Sequence, residues 1–346
     1  MKIKSEEVLF DTDGNRIQAH GGSVIYVNGK FYLYGENKEE VYGKDEECHW
    51  PRWHSGIKLY SSNDLVSWKF EGYVKEVSKD PWNPFYPTYI MDRPHIIYNK
   101  KTNKFVCWVK SSYDIYCHTG YSILVGDSLL NMQYTGVIKP RGGHTGGDFD
   151  LFEVNGKGYI VYAQENRMAL CELNDDYTDF GEKESIHLES TYPPYVREAP
   201  CFFNRNGRLM ILTSGTTGYY PNQTKAYDIS NLHGEWKEIG YTCVDDKFKN
   251  SFHTQFSSVF KHPTIPDLYI AIGDRWINDP GIGERQFEDI FERVYRPNHG
   301  PDWDKDVFEI GHLSKENLTK ASYVWLPIKF TEKNDPYIEF KKEWDF

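Results

Sequence analysis

The apolar positions of this chain fall into short runs that alternate with polar ones and break at Asn-Gly, Gly and Pro. Alternation with a period of two sends successive side chains to opposite faces, the mark of strands. Five segments repeat one pattern, a polar residue followed by strand, turn and strand. His20-Gly21-Gly22 leads into VIYVNGKFYLYGE and Asp92-Arg93 into IIYNKKTNKFVCWV. Asp148 leads into LFEVNGKGYIVYA, Glu198 into CFFNRNGRLMILTSG, and Gln255 into SVFKHPTIPDLYIAIGDRW. The turns fall near residues 28, 102, 155, 206 and 265, a period of about 50 to 75 residues that marks a repeat architecture. Asn28-Gly29, Asn155-Gly156 and Asn206-Gly207 predict tight hairpins, because both turn residues tolerate positive φ. Asn103 and the Pro263–Pro266 turn are weaker members of the set.

Five such units with no linker between them predict an all-β chain, a single five-bladed β-propeller domain over residues 1–346. Radial closure leaves only short, protected strand edges. A β-sandwich would leave the common phase of the polar residues unexplained. Residues 38–53 (KEEVYGKDEECHWPRW) are too polar and irregular for strands and predict an inserted loop near a site mouth. Residues 321–330, with the run YVWLPIKF, are expected to close the ring against the first unit. Helical periodicity is scarce, and residues 284–296 (ERQFEDIFERVYR) predict one short helix.

Composition narrows the function. Aromatic residues make up 16% of the 346, with 26 tyrosines, which suits strands and sugar-facing surfaces. A formal charge of −11 with no basic block argues against nucleic acid, since phosphate neutralisation needs clustered Lys and Arg. No apolar run reaches the roughly 18 residues of a membrane span. The start MKIKSEEVLFDTDGN lacks the apolar core of a signal peptide. The expectation is a cytoplasmic protein, or a secreted one if a leader precedes this sequence. Six cysteines (48, 107, 117, 171, 201 and 243) stand singly, without metal-ligand spacing. They read as small buried hydrophobes in a reducing compartment.

An Asp or Glu before a strand is usually a solvated turn or cap residue. Five polar residues in phase change that reading, because equal positions in successive blades face one funnel. Glu198, in VREAPCF, lies between Arg197 and an apolar strand. Low dielectric and a second carboxylate could keep it protonated, as a general acid requires. Asp92, in MDRPH, is the candidate second carboxylate, held ionised by Arg93. Asp148 follows Gly146-Gly147, which allow a ligand to approach closely, and could accept hydrogen bonds from sugar hydroxyls. Asp150 alternates with it on the same strand. Trp50, Trp53, Tyr113, Tyr116, Tyr219, Tyr220 and Trp276 lie near the predicted loops, where flat rings can stack on sugar faces. Core placement is the commoner fate of each.

The ordered set AHGGSVIYVNGKFYLYGENK, LYSSNDLVSW, DRPHIIYN, GDFDLF, REAPCFF, TSGTTGYYPN, HTQFSSV, GDRW and YVWLP resembles glycoside hydrolase family 43. It is most similar to the branch of exo-β-1,3-galactanases, over about residues 10–330. The resemblance implies a five-bladed propeller and an inverting exo-glycosidase acting on an oligosaccharide or polysaccharide. It places Glu198 as general acid, Asp92 as the carboxylate that tunes it, and Gln255 as the residue that handles water. It places Glu36, Asp148, Tyr116, Thr216, His20 and Trp276 at the sugar. Asp92 stands where that branch more often has Glu. The first blade holds His20-Gly21-Gly22 where the wider family has an Asp base. Gln255 by an unusual tautomer, Gln255 orienting water, and Glu36 as base all stay open. Arabinofuranosidase and xylosidase activities share the scaffold, and a non-catalytic sugar-binding propeller is a further alternative. No cofactor is expected. Relatives hold a structural calcium near a histidine, which makes His253 a candidate, with a hydrogen-bonded core histidine the simpler reading. Oligomeric state is not readable.

Overall fold

A computed structural model describes residues 2–5, 7–39, 44–45, 48–112, 118–191, 195–277 and 318–346, with the backbone alone for 44–45 and 48–51. The strands form five principal sheets, the all-β arrangement of a five-bladed β-propeller. In spatial order, sheet I is His20–Val27, Lys30–Glu36, Ile57–Ser62 and Lys69–Lys75. Sheet II contains Met91–Asn99, Lys104–Ser112, Thr119–Gly126 and Gln133–Ile138. Sheet III contains Phe149–Val154, Lys157–Gln164, Arg167–Leu173 and Phe180–His187. Sheet IV contains Arg197–Arg205, Arg208–Gly215, Lys225–Asp228 and Lys237–Tyr241. Sheet V runs Gln255–Lys261, Tyr269–Arg275, Ser322–Phe330, Pro336–Glu339 and Cys243–Val244. The phased polar residues therefore open, or immediately precede, the edge strand of every sheet.

The turns form as their chemistry dictates. Asn28 and Gly29 have φ of 49° and 83°, Asn155 and Gly156 52° and 78°, and Asn206 and Gly207 53° and 88°. These are the left-handed pairs that a two-residue hairpin needs.

Residues 322–330 form the central strand of sheet V, paired with Tyr269–Arg275 and Pro336–Glu339. One expectation changes. Residues 38–53 do contain strand, because Lys44–Asp45 and Cys48–Pro51 pair as a small ribbon. Backbone pairing does not need an apolar face when the ribbon is only two strands wide. The helix predicted over 284–296 lies outside the described residues.

The chain divides into two compact units. The first holds residues 8–165 and 169–185, and the second 2–7, 166–168 and 186–346. In the first unit, adjacent residues on one strand serve opposite cores. Ile96, Cys107 and Leu124 pack with Tyr34, Ile57 and Leu59. Their neighbours Ile97, Val106 and Ile123 pack with Phe149, Ile160 and Tyr162. Strands buried on both faces give near-continuous apolar runs such as FVCWV, and Cys107, Cys171 and Cys201 are buried within them as small apolar groups. In the second unit Cys201, Phe203, Met210 and Leu212 pack with Phe256, Tyr269, Val324 and Leu326.

Candidate active site

Four of the five edge strands share one irregularity, and Phe149–Val154 pairs in regular register. The ladder register shifts between His20 and Ser23, Asp92 and His95, Glu198 and Cys201, and Phe256 and Ser258. In three of them the residue after the phased one is left-handed: Gly21 at φ 60°, Arg93 at 48° and Ala199 at 49°. A bulge adds one residue to one side of the ladder and re-aims the side chains beside it. Two non-glycine residues held at positive φ are a strain that the surrounding ladder must sustain.

In the first unit these bulges gather a charged cluster. Glu36 stands opposite His20 and is 1% exposed. The Arg93 amide donates to its Oε1 at 2.7 Å, and the Lys38 ammonium lies 2.6 Å from its Oε2. A Cβ at Gly21 would overlap that carboxylate, so glycine is required there by space as well as by φ. Glu36, reaching across from the next strand, thus puts a carboxylate beside His20-Gly21-Gly22. Burial pushes Glu36 up to about 7, with the Asp92 charge adding and Lys38 and the Arg93 amide opposing.

Asp92 receives the Trp53 indole N–H on Oδ1 at 2.7 Å. Lys38 lies 3.6 Å from the same oxygen and Lys110 3.6 Å from Oδ2. Arg93, expected to hold Asp92, instead places its Nε 2.9 Å from Asp148 Oδ2, because its left-handed backbone turns it the other way. Lys110 donates to Asp148 Oδ1 at 3.2 Å. Burial opposes the charge on Asp148, yet Arg93 and Lys110 hold its carboxyl below the usual range. Asp150 pairs with buried His95 at 3.0 Å, so it turns to the interior. Gly146 and Gly147 serve packing, since a Cβ on either would press on the Tyr121 ring or the Ala163 carbonyl. His20 is fully buried.

In the second unit, Glu198 and Gln255 meet neutral groups among the described residues. Glu198, half-buried, accepts a hydrogen bond from Gln255 Nε2 at 3.2 Å. The same nitrogen donates to Ser214 Oγ at 3.0 Å, and Gln255 Oε1 accepts the Trp276 indole N–H at 3.1 Å. An indole N–H only donates, which fixes which end of the amide is oxygen. Trp276 is itself buried and meets Tyr219 edge-on at 5.4 Å. Arg197 donates to Thr213 and to the Gln223 carbonyl, bracing sheet IV. The Thr216 hydroxyl donates to the Val196 carbonyl at 3.1 Å. Tyr220 is buried. Tyr116, Tyr113 and the side chain of Trp50 lie outside the described residues.

His253 lines a cavity of about 280 Å³ with Asp245, Asp246, Phe248 and Arg275. Its backbone N–H donates to Asn250 Oδ1. Among the described residues no group of three or more His, Cys, Asp or Glu side chains is placed to hold a metal ion.

Lys38, Lys110 and Ser214 escaped the sequence reading. Lys110 and Ser214 stand opposite Asp92 and Glu198 across their hairpins. Counting back from the turns gives those partners only once the one-residue bulges are known.

Carboxyl and amide side chains at the edge-strand starts of a five-bladed propeller are the equipment of a glycosidase scaffold. The family model for glycosyl hydrolases family 43 matches residues 16–257, and the chain belongs to that family. Among curated proteins none matches this chain. Among solved structures, it is similar to a family-43 β-1,3-galactosidase solved with galactodeoxynojirimycin. That likeness has TM-score 0.79 and 25% identity, and it covers 99% of this chain and 100% of that one. A second β-1,3-galactosidase matches with TM-score 0.79 and 24% identity over 100% of this chain. The present sequence spans 63% of that protein's length. An exo-β-1,3-galactanase from Phanerochaete chrysosporium, solved with β-1,3-galactotriose, has TM-score 0.77 and 21% identity, covering 100% and 68%.

Proposed function

We propose that this protein is an inverting, exo-acting glycoside hydrolase that removes terminal β-1,3-linked galactose from an oligosaccharide or polysaccharide. The observation that carries the reading is the chain Trp276–Gln255–Glu198, in which a carboxyl group at a strand start is held by an oriented amide. Glu198 is the proton donor to the leaving-group oxygen, which must leave as an alcohol. Gln255 places the attacking water. Its oxygen already accepts the Trp276 N–H and its nitrogen already donates, so the amide orients the water, whose proton passes to solvent as its oxygen bonds to the anomeric carbon while the Glu198 proton leaves with the alcohol.

Inversion needs a water between the acid and the group opposite it, usually with about 6.5–9.5 Å between them. At 3.2 Å, Gln255 and Glu198 must part when sugar and water enter. Asp148, held charged by Arg93 and Lys110, is the acceptor for sugar hydroxyls. The chemistry uses water and side chains and needs no cofactor.

The test compares wild type with E198Q on β-1,3-galactobiose, p-nitrophenyl α-L-arabinofuranoside and p-nitrophenyl β-xyloside. Proton NMR of the first product should show α-galactose. Cleavage of the arabinofuranoside alone overturns the galactosidase reading. Sugar binding with no turnover of any substrate overturns the hydrolase reading itself.

A further inference from the structure

We propose that Trp53 and Lys38, from the segment that follows the first hairpin, are positioning residues that fix the carboxylate of Asp92 for the reaction. The inference rests on the hydrolase reading above. Asp92 sits beside a bulge, where the left-handed Arg93 interrupts the ladder. The backbone there does not by itself orient a short acid side chain, so its direction must come from what its oxygens meet. Oδ1 accepts the Trp53 indole N–H at 2.7 Å and lies 3.6 Å from Lys38 Nζ.

Trp53 is anchored before it reaches Asp92. Its backbone N–H and that of His54 both donate to the Pro87 carbonyl, at 2.6 and 3.3 Å. Lys38 then ties the assembly together. Its ammonium donates to the Trp53 carbonyl at 3.2 Å, stands 5.5 Å over the Trp53 ring, and pairs with Glu36. Lys38 is 1% exposed. Burying an ammonium costs several kcal/mol unless it is well paired. Its three anchors, Glu36, Asp92 and the Trp53 carbonyl, therefore fix one geometry. His54 is buried and kept neutral, its pKa lowered to about 3 first by burial and then by Lys38. The charged groups facing Asp92 are thus Lys38 and Glu36 on one side and Lys110, shared with Asp148, on the other. The indole is a neutral donor to Asp92, and a ring fixes direction as a flexible ammonium cannot.

The experiment measures kcat and KM on β-1,3-galactobiose for wild type, W53F, D92A and W53F/D92A. Phenylalanine keeps the ring and removes the N–H. W53F should lower kcat by about 10- to 100-fold, the weight of a hydrogen bond to a charged group, with KM within about threefold. The double variant should be no slower than D92A, because an indole has nothing to position once the carboxylate is gone. A W53F enzyme as fast as wild type, or losses that multiply in the double variant, overturns the inference and leaves the hydrolase reading standing. A wild type that turns over none of the three glycosides above removes the reading and the inference together. A second measurement does not depend on W53F folding. In D92N the indole ¹H–¹⁵N resonance of Trp53 should move, while those of Trp108 and Trp344, bonded to backbone carbonyls, stay in place. An unmoved Trp53 resonance overturns the proposal.

Discussion

The two clusters at the edge-strand starts are built by opposite means. In the first unit, Glu36, Asp92 and Asp148 are interleaved with Lys38, Arg93 and Lys110, and nearly every carboxylate oxygen lies near a cation or a fixed N–H. In the second, Glu198 meets an amide that is itself held by a hydroxyl and an indole. The difference teaches a division of labour. A carboxylate pinned by buried cations keeps its place, which suits a fixed electrostatic role. A carboxyl that meets a neutral amide can change partner and protonation state, which suits proton donation.

The comparison can be broken most directly at Glu198. E198Q should lose about 10²–10⁴-fold in kcat while retaining sugar affinity, read from steady-state kinetics and calorimetric titration. Comparable loss of affinity instead would move Glu198 into the binding group. Next in size, Q255A should cost about 10²-fold in kcat, and W276F about tenfold, because the indole only orients the amide. If W276F were as slow as Q255A, the indole would be doing more than orienting.

In the first unit, G21A should lower stability by about 3 kcal/mol in urea unfolding, since a methyl there meets both a left-handed backbone and the Glu36 carboxylate. The smallest effect is a slope. Glu36 is raised from 4.5 to about 7 in the folded protein, so the folded state holds the extra proton between those values. Its contribution favours folding at low pH and is lost as pH rises from about 4.5 toward 7. E36Q keeps the neutral form throughout, so its melting temperature relative to wild type should climb across that window. A flat difference would mean that Lys38 fully compensates the buried charge.

The sequence made much of this legible. Period-two alternation and the Asn-Gly turns specified hairpins because local backbone preference and face burial act over a few residues. The repeat of those hairpins specified the number of blades, and the phase of the polar residues specified which strand end carries chemistry. Those conclusions needed no contact between distant residues.

Tertiary structure decided the rest. Counted from its turn without a bulge, Asp92 would oppose Ser111 and Glu198 would oppose Gly215; the shifts bring Lys110 and Ser214 instead. The same irregularity turns Arg93 to Asp148 and leaves Asp92 to Trp53 and Lys38. His20-Gly21-Gly22 likewise looked like a gap in a series. In space its glycine makes room for Glu36 from the neighbouring strand. Polarity and period are properties of the chain alone. The partner that a carboxylate finds depends on a one-residue bulge and on side chains far along the sequence, and only the folded backbone brings those together.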